Sequence, residues 1–236
     1  MTGRSPRRRA HLVVLILPLL LTACQSVVSP EGESGTLDGA SIEQLTSRHE
    51  ALLSSRDEFE VGGGLGIWTD EESISARITW LQRPDALQLD LVGPLGIGTM
   101  QLLESGGVSS LTRGDQTLAR GNNADKVLQQ GLGLIAPVPL HELSYWVRGL
   151  PGEASSVVRD DQGKLSSLRF TDEQGTQWQA RFKRYSEWDG VPVPALITAS
   201  GGPYSVRLLL KNWQYATTTV VPETSESNNR LPIPGR

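Results

Sequence analysis

From Ser73 to Trp80 apolar or small residues alternate with polar ones, and Leu87, Leu89 and Leu91 repeat the pattern around Gln88 and Asp90. A period of two buries one face of an extended segment and wets the other, the habit of antiparallel sheets. Further strands are expected near Phe59–Trp68, Ile97–Leu103, Val108–Thr112 and Thr117–Arg120. They resume at Ser156–Asp160, Leu165–Thr171, Gln177–Tyr185, Ala195–Ser200 and Tyr204–Trp213. Turn signals such as Gly106-Gly107, Gly114-Asp115, Gln162-Gly163, Gln174-Gly175 and Gly201-Gly202 separate them. Many short strands at even spacing predict a mainly β fold, a curved sheet or barrel rather than an α/β enzyme.

Three stretches have helical spacing instead. Ser41 followed by Gln44 makes a capping-box pattern, with Ile42, Leu45, Leu52 and Leu53 read as one apolar face. Asn123 to Gly131 predicts a short helix capped by Asn122 or Asn123, with Val127, Leu128 and Leu132 on one side. After Pro137 and Pro139, Leu140 to Arg148 predicts another, carrying Leu143, Trp146 and Val147. Two short apolar helices set into an antiparallel sheet would cover its concave face as a lid. Whether side chains fill the space beneath is left open by the pattern.

The ends read differently. Arg4, Arg7, Arg8 and Arg9 precede an apolar run from His11 to Leu21, and Leu21-Thr22-Ala23-Cys24 follows. These are the parts of a secretory signal, residues 1–23. The run is shorter than the roughly 20 residues that span a bilayer. Cys24, the single cysteine, stands where a bacterial lipoprotein is cut and acylated. Residues 24–40 are rich in Ser, Gly and Glu and read as a flexible tether. Residues 41–215 form the expected folded domain, and 216–236 an unpatterned tail expected to be disordered.

Removal of four signal arginines and no acid takes the net charge from −4 to −8. Such a chain is a poor match for nucleic-acid phosphates. Acyl chains, at about 0.8 kcal/mol per buried methylene, would then provide the membrane attachment. Catalysis is not expected: only His49 and His141 remain after the signal, and no Gly-x-Ser-x-Gly elbow occurs. Two isolated histidines do not make a zinc site, so no metal or cofactor is expected. Glu71-Glu72 and Asp160-Asp161 are paired acids, but turn and strand-end contexts argue against glycoside chemistry.

Two groups of apolar residues remain. Pro94 suits the second position of a tight turn and Gly96 a following site with positive φ, which sets Leu95 at a hairpin tip. A leucine there either packs into the turn or protrudes. Ile67, Ile78, Trp80, Leu89, Leu91, Met100 and Leu102 are the expected concave-face residues, with Leu143, Trp146 and Val147 from the lid. They form either an ordinary core or the lining of an apolar cavity.

The order of these motifs resembles the LolB family of outer-membrane lipoprotein receptors. The resemblance rests on Phe59-Glu60-Val61 leading into Gly62-Gly63-Gly64-Leu65-Gly66-Ile67, then Ala76-Arg77-Ile78-Thr79-Trp80 and Gly93-Pro94-Leu95-Gly96. It continues through Pro137-Val138-Pro139-Leu140, Trp146-Val147-Arg148-Gly149-Leu150-Pro151-Gly152 and a closing Trp213. Gly93 stands where a polar turn residue is common, and the tail is longer than the pattern requires. The resemblance implies a half-closed antiparallel barrel of about eleven strands with a helical lid over an apolar cavity. It implies that the cavity takes the acyl chains of a lipoprotein cargo from the periplasmic carrier LolA, without cofactor or nucleotide. Delivery would be to outer-membrane lipids, with Leu95 as the inserted residue between Pro94 and Gly96, aided by Ile97. Gln25 after Cys24, where Asp would mark inner-membrane retention, points to the outer membrane. A monomer is expected. The competing reading is a structural or assembly lipoprotein that shares anchor, tether and sheet but binds no acyl chain.

Overall fold

A computed structural model of the chain describes residues 39–96 and 98–216. Cys24, the signal, the tether up to residue 38, Ile97 and the tail beyond Ala216 lie outside the described residues, and the last two tether positions belong to the first helix.

Eleven strands form one antiparallel sheet: β1 (Phe59–Trp68), β2 (Ser73–Arg83), β3 (Ala86–Val92), β4 (Met100–Ser105), β5 (Val108–Arg113), β6 (Gln116–Gly121), β7 (Ser156–Arg159), β8 (Leu165–Thr171), β9 (Gln177–Trp188), β10 (Val191–Gly201) and β11 (Tyr204–Tyr215). Their order is β6-β5-β4-β3-β2-β1-β11-β10-β9-β8-β7. Each strand therefore pairs with its neighbour in sequence, and the first and last close the centre. The sheet is open, with β6 and β7 at its two edges. The link between those edges carries α2 (Ala124–Leu132) and α3 (Leu140–Arg148), and α1 (Gly39–Ser54) precedes the sheet.

Alternation sets the faces. Leu87, Leu89 and Leu91 of β3 are buried while Gln88 and Asp90 turn outward, and Tyr204, Val206, Leu208 and Leu210 do the same on β11. One buried cluster joins these strands to Val127 and Leu128 of α2 and Leu143, Trp146 and Val147 of α3. Burying a side chain of this kind contributes about 1.5–3 kcal/mol, so the lid belongs to the core energetically.

Two glycines of β1 are demanded by close approach. A Cβ on Gly63 would stand 1.9 Å from the Leu209 carbonyl oxygen, and one on Gly66 would stand 2.4 Å from the Trp68 ring. Farther along the same pairing, Glu60 faces Gln214 but Gly62 faces Lys211, so β11 carries an extra residue opposite Val61. Asn212 takes φ 54 there, a left-handed conformation that asparagine tolerates. The bulge shifts the parity of the strand and turns Trp213 inward, with its ring 5.3 Å from Phe59 and 5.4 Å from Trp188.

Three expectations need correction. On α1, Leu45 and Leu52 are 48% and 41% exposed, and the face turned to the protein is Leu53 and His49 with Thr46 and Ile42 partly covered. The helix also begins before Ser41, which therefore sits within its first turn. It packs against the turn after β7, where Thr46 Oγ1 donates to the Gly163 carbonyl and Arg159 pairs with Glu50. β4 starts at Met100 rather than Ile97, since Leu95, Gly96 and Gly98 ahead of it all take left-handed backbones. β10 starts at Val191 rather than Ala195 despite Pro192 and Pro194. The prolines are tolerated because β10 pairs only with β9 until Leu196, where β11 joins it.

Candidate functional site

The loop between β3 and β4 presents Leu95 to solvent. Gly96 N–H donates to the Gly93 carbonyl at 3.1 Å, closing the turn through Pro94 and Leu95. Leu95 is 97% exposed, and its neighbours Pro94 and Gly96 are exposed too. Gly96 has the expected positive φ of 78, but Leu95 itself sits at φ 59, ψ 17. A left-handed backbone costs a residue with a Cβ about 1–2 kcal/mol. An exposed leucine also forfeits the burial that would repay it. Of the two readings open to the sequence, the protruding one is observed.

The hairpin between β1 and β2 and the start of β11 lie on the same rim of the sheet as this loop, as the antiparallel registers require. Sequence reasoning missed a second exposed apolar residue near that rim. Ile135, in the link from α2 to α3, is 69% exposed. It is held beside β11 by its neighbour, since Ala136 N–H donates to Tyr204 Oη at 2.8 Å. No periodic pattern covers an irregular link, so only its composition was legible.

The ten expected concave-face residues are brought together. Ile67, Ile78, Trp80, Leu89, Leu91, Leu102, Leu143, Trp146 and Val147 are buried in one cluster, and Met100 is partly buried against it. None of them lines the groove beside α3 or the small hollow at the foot of the Leu95 loop. In this conformation the lid closes the concave face off from solvent.

The lid is tied by polar contacts as well. Asn123 caps α2, its Oδ1 accepting Lys126 N–H at 2.9 Å. Pro139 cannot cap α3, and Asp125 of α2 takes that place, its Oδ1 accepting Leu140 N–H at 2.9 Å. Burial pushes the Asp125 carboxyl up to about 6, against the opposing pull of the Leu140 and His141 amides. Glu142 is buried under the turn that follows, where Glu153 N–H donates to it at 3.1 Å, and burial raises its pKa as well.

A groove of about 820 Å³ runs along the outer side of α3, past His141 and Tyr145, with polar residues forming much of its wall. A smaller one of about 300 Å³ lies at the foot of the Leu95 loop, between Ala76, Arg77 and Val92. The paired acids build turns: Asp160 Oδ1 accepts the N–H groups of Gln162 and Lys164, while Glu71 and Glu72 N–H groups meet Thr69 Oγ1.

Comparison with known proteins places this geometry. The family model described as outer membrane lipoprotein LolB matches residues 57–213. An outer-membrane lipoprotein LolB from Pseudomonas savastanoi pv. phaseolicola is 34% identical over 206 residues, covering 86% of this chain and 95% of its own. The protein of the same description from Pseudomonas putida KT2440 is 32% identical over the same shares. Among solved structures, a LolA superfamily protein from Nitrosomonas europaea superposes with a TM-score of 0.50 at 12% identity. It covers 74% of this chain and 93% of its own, a likeness of fold.

Proposed function

Because this chain belongs to the LolB family of outer-membrane lipoproteins, we propose that it accepts acylated lipoproteins from the carrier LolA and delivers them to the inner leaflet of the outer membrane. As a family member it is an outer-membrane lipoprotein and serves lipoprotein localisation. Acylated Cys24 is the anchor, and residues 24–40 give the domain its reach. The observation that carries the reading is Leu95, almost fully exposed on a left-handed backbone that leucine disfavours. Strain of this kind persists where function requires it. Inserting one leucine into lipid gains about 1.5–3 kcal/mol, enough to bias an already tethered protein toward release and too little to anchor it.

Acyl chains enter the concave face when α2 and α3 lift from the sheet. The residues they would meet are then the apolar side chains of β1–β4, which need offer shape rather than hydrogen bonds. No energy source is required if the receptor binds cargo more tightly than the carrier does, at about 1.4 kcal/mol for each tenfold preference.

The test is transfer in solution. Mature protein carrying Cys24→Ala is mixed with purified LolA loaded with an acylated lipoprotein, and the two are separated by affinity pulldown. Cargo moving to this protein supports the acceptor role, and cargo remaining on an active carrier removes it. The packed concave face favours a second reading, a structural lipoprotein without acyl binding. An environment-sensitive fatty-acyl probe separates the two, since a permanently filled core does not take it up.

A further inference from the structure

The groove beside α3 is acidic, and the chain leaves the sheet at its edge. Eight carboxylate side chains line it against three from Lys and Arg. Leaving out the two buried acids, Asp125 and Glu142, still leaves six against three. One of the three cations, Arg83, is already paired with Glu58 at 2.5 Å. Between the charges stands the half-buried ring of Tyr145, with the largely buried Leu87 and Phe170 behind it.

Arg83 also marks where the chain departs. Its Nη2 donates to the Ala216 carbonyl at 3.3 Å, so the last described residue touches a residue of the groove wall. Beyond it come 20 residues that end in Arg230-Leu231-Pro232-Ile233-Pro234-Gly235-Arg236. Two arginines bracket an apolar core in which proline takes every second place. Such a sequence favours the extended polyproline conformation at about 3.1 Å per residue, which loses little entropy on docking. The intervening residues, at up to about 3.3–3.6 Å each, span more than the length of a nine-residue helix such as α3.

We infer that the segment Arg230–Arg236 docks in the acidic groove along α3, its arginines meeting groove carboxylates and Leu231 and Ile233 covering the apolar surface. Attachment to the same chain gives the segment a high effective concentration, so weak contacts suffice. The inference stands on the charge and position of the groove and does not depend on the transfer role.

A nitroxide spin label on Ile233→Cys in the mature full-length chain, with Cys24→Ala, tests it. Amide signals of His141, Tyr145, Glu153 and Glu173 are expected to broaden selectively, while those of Ser205 and Arg207 on the opposite face of the sheet stay sharp. Charge reversal by Glu153→Lys with Glu173→Lys is expected to restore the signals, and raised salt to restore them in part. Broadening spread evenly over both faces, or unchanged by charge reversal, overturns the inference. Broadening that appears only between a labelled chain and a second, isotope-labelled one also overturns it, and assigns the groove to another copy. Unchanged dispersion of the remaining amide signals in the charge-reversed protein confirms that it is folded.

Discussion

Asp125 at the start of α2 caps α3, accepting the Leu140 N–H at 2.9 Å where Pro139 has no side-chain group to offer. The two lid helices are thus joined end to end by one carboxylate, and that carboxylate is largely buried, with its pKa pushed up to about 6. Between the ordinary aspartate range and about pH 6, the folded protein holds a proton that the unfolded chain has lost. Stability from this group is therefore highest below the unfolded value and falls as pH rises through that window. A shift from 3.8 to about 6 corresponds to about 3 kcal/mol. Asp125→Asn should flatten this component, measured as the difference between wild-type and variant unfolding free energies at pH 4 and pH 7. The difference isolates Asp125 from Glu142, which acts in the same direction, and from His49, whose depressed pKa acts in the opposite one. An unchanged pH profile in the variant would refute the coupling.

Leu95 offers a separation of stability from function. Leu95→Gly relieves the left-handed backbone and removes no packed side chain. Set against the entropy that glycine adds to the unfolded chain, a gain of about 0.5–1 kcal/mol is expected. Chemical denaturation checks it, with an unchanged slope and a raised midpoint as the predicted pattern. A loss of stability would mean that Leu95 packs somewhere in the folded protein.

Gly63 tests the close approach of β1 and β11. A methyl group there meets the Leu209 backbone, which cannot rotate away as a side chain would. Gly63→Ala should cost about 3 kcal/mol, by forcing apart the two strands that join the halves of the sheet. Gly64, whose added Cβ would find only ordinary contact with the Ala76 carbonyl at 4.0 Å, serves as the control. Gly64→Ala should be nearly neutral in the same thermal unfolding measurement.

The strands were legible because most of them carry one wet and one buried face, and Leu165–Thr171 and the lid helix Leu140–Arg148 emerge with the bounds expected for them. The face of α1 was not legible. Its contact strip is narrow and runs through Thr46 and His49, polar residues that a hydrophobic count passes over, while the flanking Leu45 and Leu52 stay in water. The bulge at Asn212 left no periodic trace either, since one inserted residue looks like noise in an alternation and only the partner strand defines it. At the candidate site, the turn through Pro94 and Gly96 was readable from residue chemistry. The left-handed φ of Leu95 was not, because nothing in a leucine's own preferences predicts it. The packing of the concave face likewise depends on how α2 and α3 settle on the sheet, which no single segment encodes.

Delivery through Leu95 is tested by following uptake and release in one experiment with Leu95→Glu. Cargo-loaded LolA is mixed with the mature variant, and transfer to the protein is measured before liposomes of outer-membrane phospholipids are added. Wild-type uptake from the carrier is expected, with a severe loss of cargo insertion into the liposomes and the cargo retained on the variant. Insertion at the wild-type rate by a variant that still takes up cargo would contradict delivery through Leu95.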